Sequence, residues 1–318
     1  MHRILVAATT LLVASAAHAA DVVAFDPVEP VAEPVPQRSV LVGGGVGFAP
    51  SYEGSDEYRV FGFPIVSYSS GVDGPRRFEF RSVDDIRFHA LRFGGLSVGP
   101  LAGYTFGRDE DDGDALLGLG DVDGGVVVGG FASYDVEVAP GAVIGADVGI
   151  STQVTGDAYD AEPFDRVGLA LPLRNRIEEN YGYGYTVDFG VSGEFDLTPR
   201  LNLATRVGAE YASEEYMRTF FGVNPGQSAS AALLGNAVPA FGTVVNPTAP
   251  ALEQAVAIDG QIKNVYANVS AAFDVTDRFE VRAGLGYSRL LGDAADSPVT
   301  VSDDQFTGSL GVGYRFRF

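Results

Sequence analysis

The sequence predicts an all-β protein: an antiparallel up-and-down transmembrane β-barrel of about twelve strands, with ten as the alternative count. Three observations predict it. From Ser39 onward, apolar and polar side chains alternate with a period of two, which places them on opposite faces of strands. The alternating runs span ten to fourteen residues, where sandwich strands average about 5–6 and a tilted membrane strand needs about 9–11. Tight turns alternate with long acidic or Gly/Pro-rich loops, the pattern of short periplasmic turns and long external loops.

Residues 1–19 read as a removable signal peptide. Met1-His2-Arg3 is a short basic start, Ile4 to Ala16 an apolar run, and Ala17-His18-Ala19 a small-x-small cleavage site. The run is too short to cross a bilayer as a helix. Cleavage leaves 299 residues. Residues 20–38 hold Pro27, Pro30, Pro34 and Pro36 among Asp21, Asp26, Glu29 and Glu33. They cannot pack a core and read as an extended linker, either a spacer or a periplasmic tether.

The barrel is expected over 39–318, with strands near 39–49, 57–69, 75–82, 85–92, 95–107, 124–138, 141–152, 184–197, 200–212, 260–275, 278–291 and 304–318. An even count leaves both ends at the periplasmic rim. The last strand is the clearest: Phe306, Leu310, Val312, Tyr314, Phe316 and Phe318 share one face, and Gln305, Thr307, Ser309, Arg315 and Arg317 the other. Tight turns fall at Ala139-Pro140-Gly141, Thr198-Pro199-Arg200 and Thr276-Asp277-Arg278; long loops fall at 109–123, 152–184, 213–260 and 292–303. The 48-residue loop at 213–260 would be unusual in a compact soluble domain and is ordinary on a barrel rim.

Composition narrows the function. There are 42 acidic and 21 basic residues, and only Lys263 among the mature bases is not Arg. A chain this acidic is a poor partner for nucleic acid. It has no Cys, which removes thiol chemistry and thiolate metal sites. No run of 18 apolar residues follows the signal, so no helical span is expected. No cofactor or metal is implied.

Charges of both signs mark the polar faces: Asp188 and Glu194, then Arg206 and Glu210, then Glu280 and Arg282, then Arg315 and Arg317. A basic side chain facing lipid near the midplane costs about 2–4 kcal/mol, so these are expected in the lumen as a charge network. That network is either a plug stiffening a narrow barrel or the lining of an ion-selective pore. Tyr314, Phe316 and Phe318 fit the periplasmic aromatic girdle and look like the signal read by the barrel-assembly machinery. His89 is the only mature His. Ser82 or Ser97 with Asp84 or Asp85 are its candidate partners, although no G-x-S-x-G motif is present. The run Asp109-Glu110-Asp111-Asp112-Gly113-Asp114 lacks the spacing of a calcium loop and reads as a solvated acidic loop.

One segment carries a resemblance. Gly47-Phe48-Ala49-Pro50-Ser51-Tyr52-Glu53-Gly54-Ser55-Asp56-Glu57-Tyr58, followed by Phe63-Pro64 and Tyr68, resembles the opening signature of the MipA/OmpV family, the MltA-interacting proteins. Further matches are Gly107-Arg108 before Leu117 to Asp121, Tyr216-Met217 with Phe221 to Val223, and Leu291 to Ala295 with Ser297-Pro298. The resemblance implies an outer-membrane barrel of a Gram-negative bacterium, without catalytic residues to carry over. For some members it implies a scaffold joining a murein hydrolase to a murein synthase. This chain departs from the pattern at its insert around Asn236 to Pro250 and in its Pro-rich tail. Expected partners are therefore membrane lipid and lipopolysaccharide, the assembly machinery, and murein enzymes. The first reading of function is a non-enzymatic structural or scaffolding role. A small ion-permeable pore is the second, and a lipid-modifying enzyme centred on His89 the third.

Overall fold

The computed structural model describes residues 39–69, 78–156, 182–242 and 258–317. The expected signal peptide 1–19, linker 20–38 and terminal Phe318 lie outside the described residues. Thirteen strands are present among the described residues: β1 (Ser39–Pro50), β2 (Tyr58–Ser69), β3 (Phe78–Phe80), β4 (Ile86–Phe88), β5 (Leu91–Phe93), β6 (Leu96–Arg108), β7 (Val122–Ala139), β8 (Ala142–Gln153), β9 (Thr186–Thr198), β10 (Leu201–Ala212), β11 (Gln261–Asp274), β12 (Phe279–Leu290) and β13 (Asp304–Arg317). Every ladder is antiparallel; β6 to β13 pair in sequence order, β1 pairs β2, β3 pairs β4, and β4 and β5 both pair β6. The chain is then joined to itself where β1 pairs β13, Ser39 opposite Arg317 through Phe48 opposite Gly308. This puts Ser39 and Arg317 at one rim. On the outer half, the Arg59 guanidinium lies 5.2 Å over the Phe106 ring and Phe61 meets Phe106 at 6.1 Å. The sheet has thus curled round until β2 touches β6.

The strand count reconciles twelve with ten. Ten strands have twelve or more residues. The strands expected at 75–82 and 85–92 are instead the three-residue pieces β3, β4 and β5. A tight turn interrupts the first, with the Arg81 and Ser82 amides both donating to Asp85. The second is split by a bulge. Arg87 pairs Leu101, but Leu91 pairs Val98, a slip of one residue. Arg87 and His89 consequently point inward, whereas further along the strand Leu91 and Phe93 point outward.

The outward face is an apolar belt. Val60, Leu285 and Val312 are 77%, 64% and 57% exposed, and Val46, Phe93, Val191, Val207 and Leu310 join them. On a soluble protein such a continuous apolar surface would drive aggregation; facing lipid tails it needs no cover. Among the described residues no helix is long and apolar enough to cross a membrane. Crossing is by strands, in which paired backbone groups satisfy one another.

The outer loops are folded, where the sequence suggested open loop. Within the expected loop 213–260 stand α1 (Glu214–Phe221) and α2 (Pro225–Leu233), and α3 (Gly292–Asp296) follows β12. Local signals start them. Ser213 caps α1, and Asn224 with Gln227 forms a capping box ahead of α2, with Pro at its first turn. The run 109–116 makes two 3-10 turns, in which Asp109 and Asp112 cap each other's amides.

Candidate functional site

The barrel interior and its outer cap concentrate the buried polar chemistry. At the centre lies Asp147 of β8, its side chain 1% exposed. It accepts Arg81 Nη1 at 2.7 Å and Arg87 Nη1 at 2.8 Å, and also the guanidinium of Arg206 on β10. Arg206 also pairs Asp188 of β9 and donates from Nε to the Tyr266 hydroxyl at 2.8 Å. Tyr266 in turn donates to Asp188 Oδ2 at 2.5 Å. Arg87, equally buried, pairs Asp85 at 2.8 Å and stacks over Phe131 at 4.9 Å. Arg81 also holds Glu79 at 2.6 Å. Three guanidiniums thus face four carboxylates, and the bonds run from the β3–β4 side across the lumen to β8, β9, β10 and β11. Such a network is stable only while every member keeps a partner.

Two further clusters lie above and below. Near the periplasmic rim, Glu280 accepts both Arg282 and Arg315, and Arg315 reaches Asp274 at 3.0 Å. At the outer end, Lys263 pairs Glu53 at 2.5 Å and Glu210 at 2.9 Å, beneath the Tyr216 ring. Tyr216 donates its hydroxyl to Glu53 at 3.2 Å. Burial pushes the Tyr216 phenol well up, so it stays a neutral donor.

Of the charges singled out in the sequence, Asp188 and Arg206 meet in the centre, Glu210 joins Lys263, and Glu280, Arg282 and Arg315 share the lower cluster. Glu194 and Arg317 are exposed at the periplasmic rim and form no ion pair among the described residues. The sequence reading missed Asp147, Arg81, Arg87, Tyr266 and Lys263 as network members. Tyr314 packs edge-on against Phe279 at 5.0 Å and Phe316 at 4.8 Å, and Phe316 faces outward.

Around His89 the arrangement differs from the expectation. Ser82 bonds Asp84 and Asp85 bonds Arg87, so neither acid serves the imidazole. His89 Nδ1 lies 2.7 Å from Ser97 Oγ, and Nε2 lies 3.1 Å from Glu79 Oε2.

The signature loop 51–57 fastens the cap. Tyr52 donates to the Val299 carbonyl at 3.1 Å, and burial raises its phenol to about 12, so it remains a donor at ordinary pH. Glu53 reaches Lys263, as above. Gly54 has a φ of 103°, and its carbonyl accepts Val301 N at 2.7 Å and Ser302 N at 2.9 Å. Ser55 Oγ accepts Glu57 N at 3.0 Å, and Asp56 is exposed. Over this loop two apolar clusters close: Tyr52, Leu116, Leu119, Val223, Ala231, Val238 and Val299; and Ala212, Met217, Phe221, Ile258, Leu290 and Ala294. Each large apolar side chain buried so contributes about 1.5–3 kcal/mol.

The positive φ at Gly54 is forbidden to a branched residue, and an added Cβ would lie 2.8 Å from Thr300 Oγ1. Gly54→Val is therefore expected to detach the 297–302 segment from the signature loop. Limited proteolysis should then cut the outer loops at least about tenfold faster, while the heat-dependent gel shift of the folded barrel persists. Unchanged proteolysis would refute this role for the loop.

This signature loop, seated between the outer ends of the strands, belongs to a recognisable family. The family model described as MltA-interacting protein MipA matches residues 42–316. The chain belongs to the MipA family. This MipA-family chain is accordingly an outer-membrane β-barrel protein. No curated protein matches it. Among solved structures it is similar to the NanC porin, at 7% identity over 86% of this chain and 98% of that one, with a TM-score of 0.40. It is also similar to the COG4313 outer membrane channel from Pseudomonas putida F1, at 14% identity over 93% and 100%, TM-score 0.40. A third is OmpT of Vibrio cholerae, at 8% over 88% and 96%, TM-score 0.34. Likenesses this distant carry no functional argument.

Proposed function

We propose that this MipA-family barrel is a non-conducting structural protein of the cell envelope that scaffolds murein enzymes at its periplasmic rim. The observation that carries the reading is the ion network bridging the lumen from β4 to β10, with the folded cap above it. A barrel filled in this way has little to offer as a conduit, and its accessible surfaces become its working parts. The lipid-facing belt anchors it among lipid and lipopolysaccharide, and the aromatic strand end is what the assembly machinery would read. On the periplasmic side, the turns after β9 and β11 frame a cleft of about 420 Å³ lined by Arg200, Val275, Thr276, Asp277 and Arg278. With Arg317 exposed on the same rim, it offers guanidiniums to an acidic protein surface. The family's description as MltA-interacting supports a murein hydrolase as one such partner.

The test has two arms. In planar bilayers the refolded protein is expected to give no unitary openings; regular openings that vanish on changing Arg206 would instead establish the pore. In envelope extracts, murein hydrolase and synthase are expected to co-purify with the barrel. The pair Arg200→Glu and Arg278→Glu is expected to cut recovery at least about tenfold with folding intact. Failure of the wild-type barrel to retain either enzyme would sink the scaffold reading.

A further inference from the structure

We propose that Ser97, His89 and Glu79 form a serine-hydrolase site at the periplasmic end of the lumen, acting on small acyl esters. Ser97 is the second residue of β6, one step from the hairpin in which Phe93 pairs Leu96, and so lies close to the periplasmic opening. The imidazole uses both nitrogens on opposite partners. Nδ1 stands 2.7 Å from Ser97 Oγ, and Nε2 stands 3.1 Å from Glu79 Oε2. That is the relation a nucleophile, its base and an orienting carboxylate require. The carboxylate is itself positioned: Glu79 Oε1 receives Arg81 Nε at 2.6 Å, and Arg81 is anchored on Asp147 at 2.7 Å. The ring is fixed edge-on against Phe131, with centroids 5.0 Å apart and planes at 78°.

Two observations separate this from a simple fastening. His89 keeps the inward face of Arg87, and the bulge that follows it turns Leu91 and Phe93 outward, so the inward run ends beside Ser97; bulges are over-represented next to active sites. Directly opposite Ser97 on β7 is Ser133, which is buried and whose hydroxyl has no hydrogen-bond partner in the structure. A buried, unsatisfied hydroxyl beside a nucleophile is available to donate to an oxyanion. The central network fills the lumen above, so the site admits only a small acyl group presented from the periplasm.

The chemistry balances with water as the second substrate. Ser97 Oγ attacks the acyl carbon while its proton passes to His89 Nδ1. The C–O bond to the alcohol breaks, and the alcohol leaves with that proton. Water then attacks the acyl-Ser97 ester and gives its proton to His89. The carboxylic acid departs as Ser97 recovers its hydrogen. Glu79 is a positioning residue: it holds the Nε2–H tautomer and steadies the imidazolium.

The test uses the full-length refolded barrel in detergent, with a fluorophosphonate probe and p-nitrophenyl acetate. The probe is expected to add to Ser97, located by peptide mass, and turnover to exceed buffer. Ser97→Ala should abolish labelling, and His89→Gln should lower turnover at least about 100-fold. Glu79→Gln should shift the pH profile of turnover as well as its height. Should Ser97→Ala fail to give the heat-dependent gel shift, Ser97→Cys keeps the shape: its alkylation by iodoacetamide should be faster with His89 present than in the His89→Gln background. A folded wild-type barrel that neither takes the probe at Ser97 nor hydrolyses the ester, or equal alkylation of Cys in both backgrounds, would overturn the proposal.

Discussion

Asp147→Ala is expected to destabilise the barrel by about 3–5 kcal/mol, the cost of stranding buried charge whose partner is removed. Asp147 is the one carboxylate that Arg81, Arg87 and Arg206 all share. Arg87 is as buried as Asp147, at 1% side-chain exposure, and cannot turn to water. It keeps Asp85 at 2.8 Å and a longer approach to Asp188 at 3.7 Å, so three guanidiniums would be left with less opposing charge in a poorly hydrated space. Asp147→Asn preserves an accepting oxygen and should lose less. The chain has no Trp, so the loss is best followed as the urea midpoint of the heat-dependent gel shift in lipid vesicles. An alanine variant as stable as the wild type would mean that the lumen is wet enough to solvate the arginines, and the plug reading would fall with it.

The second large effect lies on the other face. Leu285, in the middle of β12 opposite Val269 and Gly308, is 64% exposed. In a soluble protein, changing so exposed a residue to Arg would alter stability by about 0.5 kcal/mol or less. In the bilayer, Leu285→Arg is expected to cost about 2–4 kcal/mol, whereas Phe316→Arg at the periplasmic rim should cost about 0–1 kcal/mol. Refolding into vesicles and measuring both midpoints gives the depth dependence directly. Equal and small effects at the two sites would mean that no hydrocarbon surrounds the belt.

Much of the fold was legible because a strand's period of two is written in every alternating run. The ends of β8, β10, β12 and β13 fall within a few residues of expectation. The short pieces β3 to β5 were less legible, because a bulge shifts the parity midway and mixes the two faces. The helices of the cap were hidden differently: α1 and α2 have eight and nine residues, too short for a helical period to stand out.

The site was legible by face but not by partner. Alternation placed Asp188 and Arg206 inside, yet it says nothing about which strands confront each other across a lumen. Nearness in sequence suggested Asp84 and Asp85 for His89. The turn at 81–85 commits them to Ser82 and Arg87 instead, and antiparallel pairing of β3 with β4 carries Glu79 to the imidazole.

By itself, then, the sequence determined that the chain is a barrel, which face of each long strand meets lipid, where the short and long connections fall, and which family signature it carries. These are properties of neighbours along a strand, fixed by pleat geometry and by the cost of placing charge in hydrocarbon. The tertiary structure decided that Asp147 holds three arginines, that the signature loop locks the cap, and that Ser97 and Glu79 flank His89. Those depend on the curl of the sheet and on a one-residue slip in register, through which side chains distant in sequence come within hydrogen-bond reach.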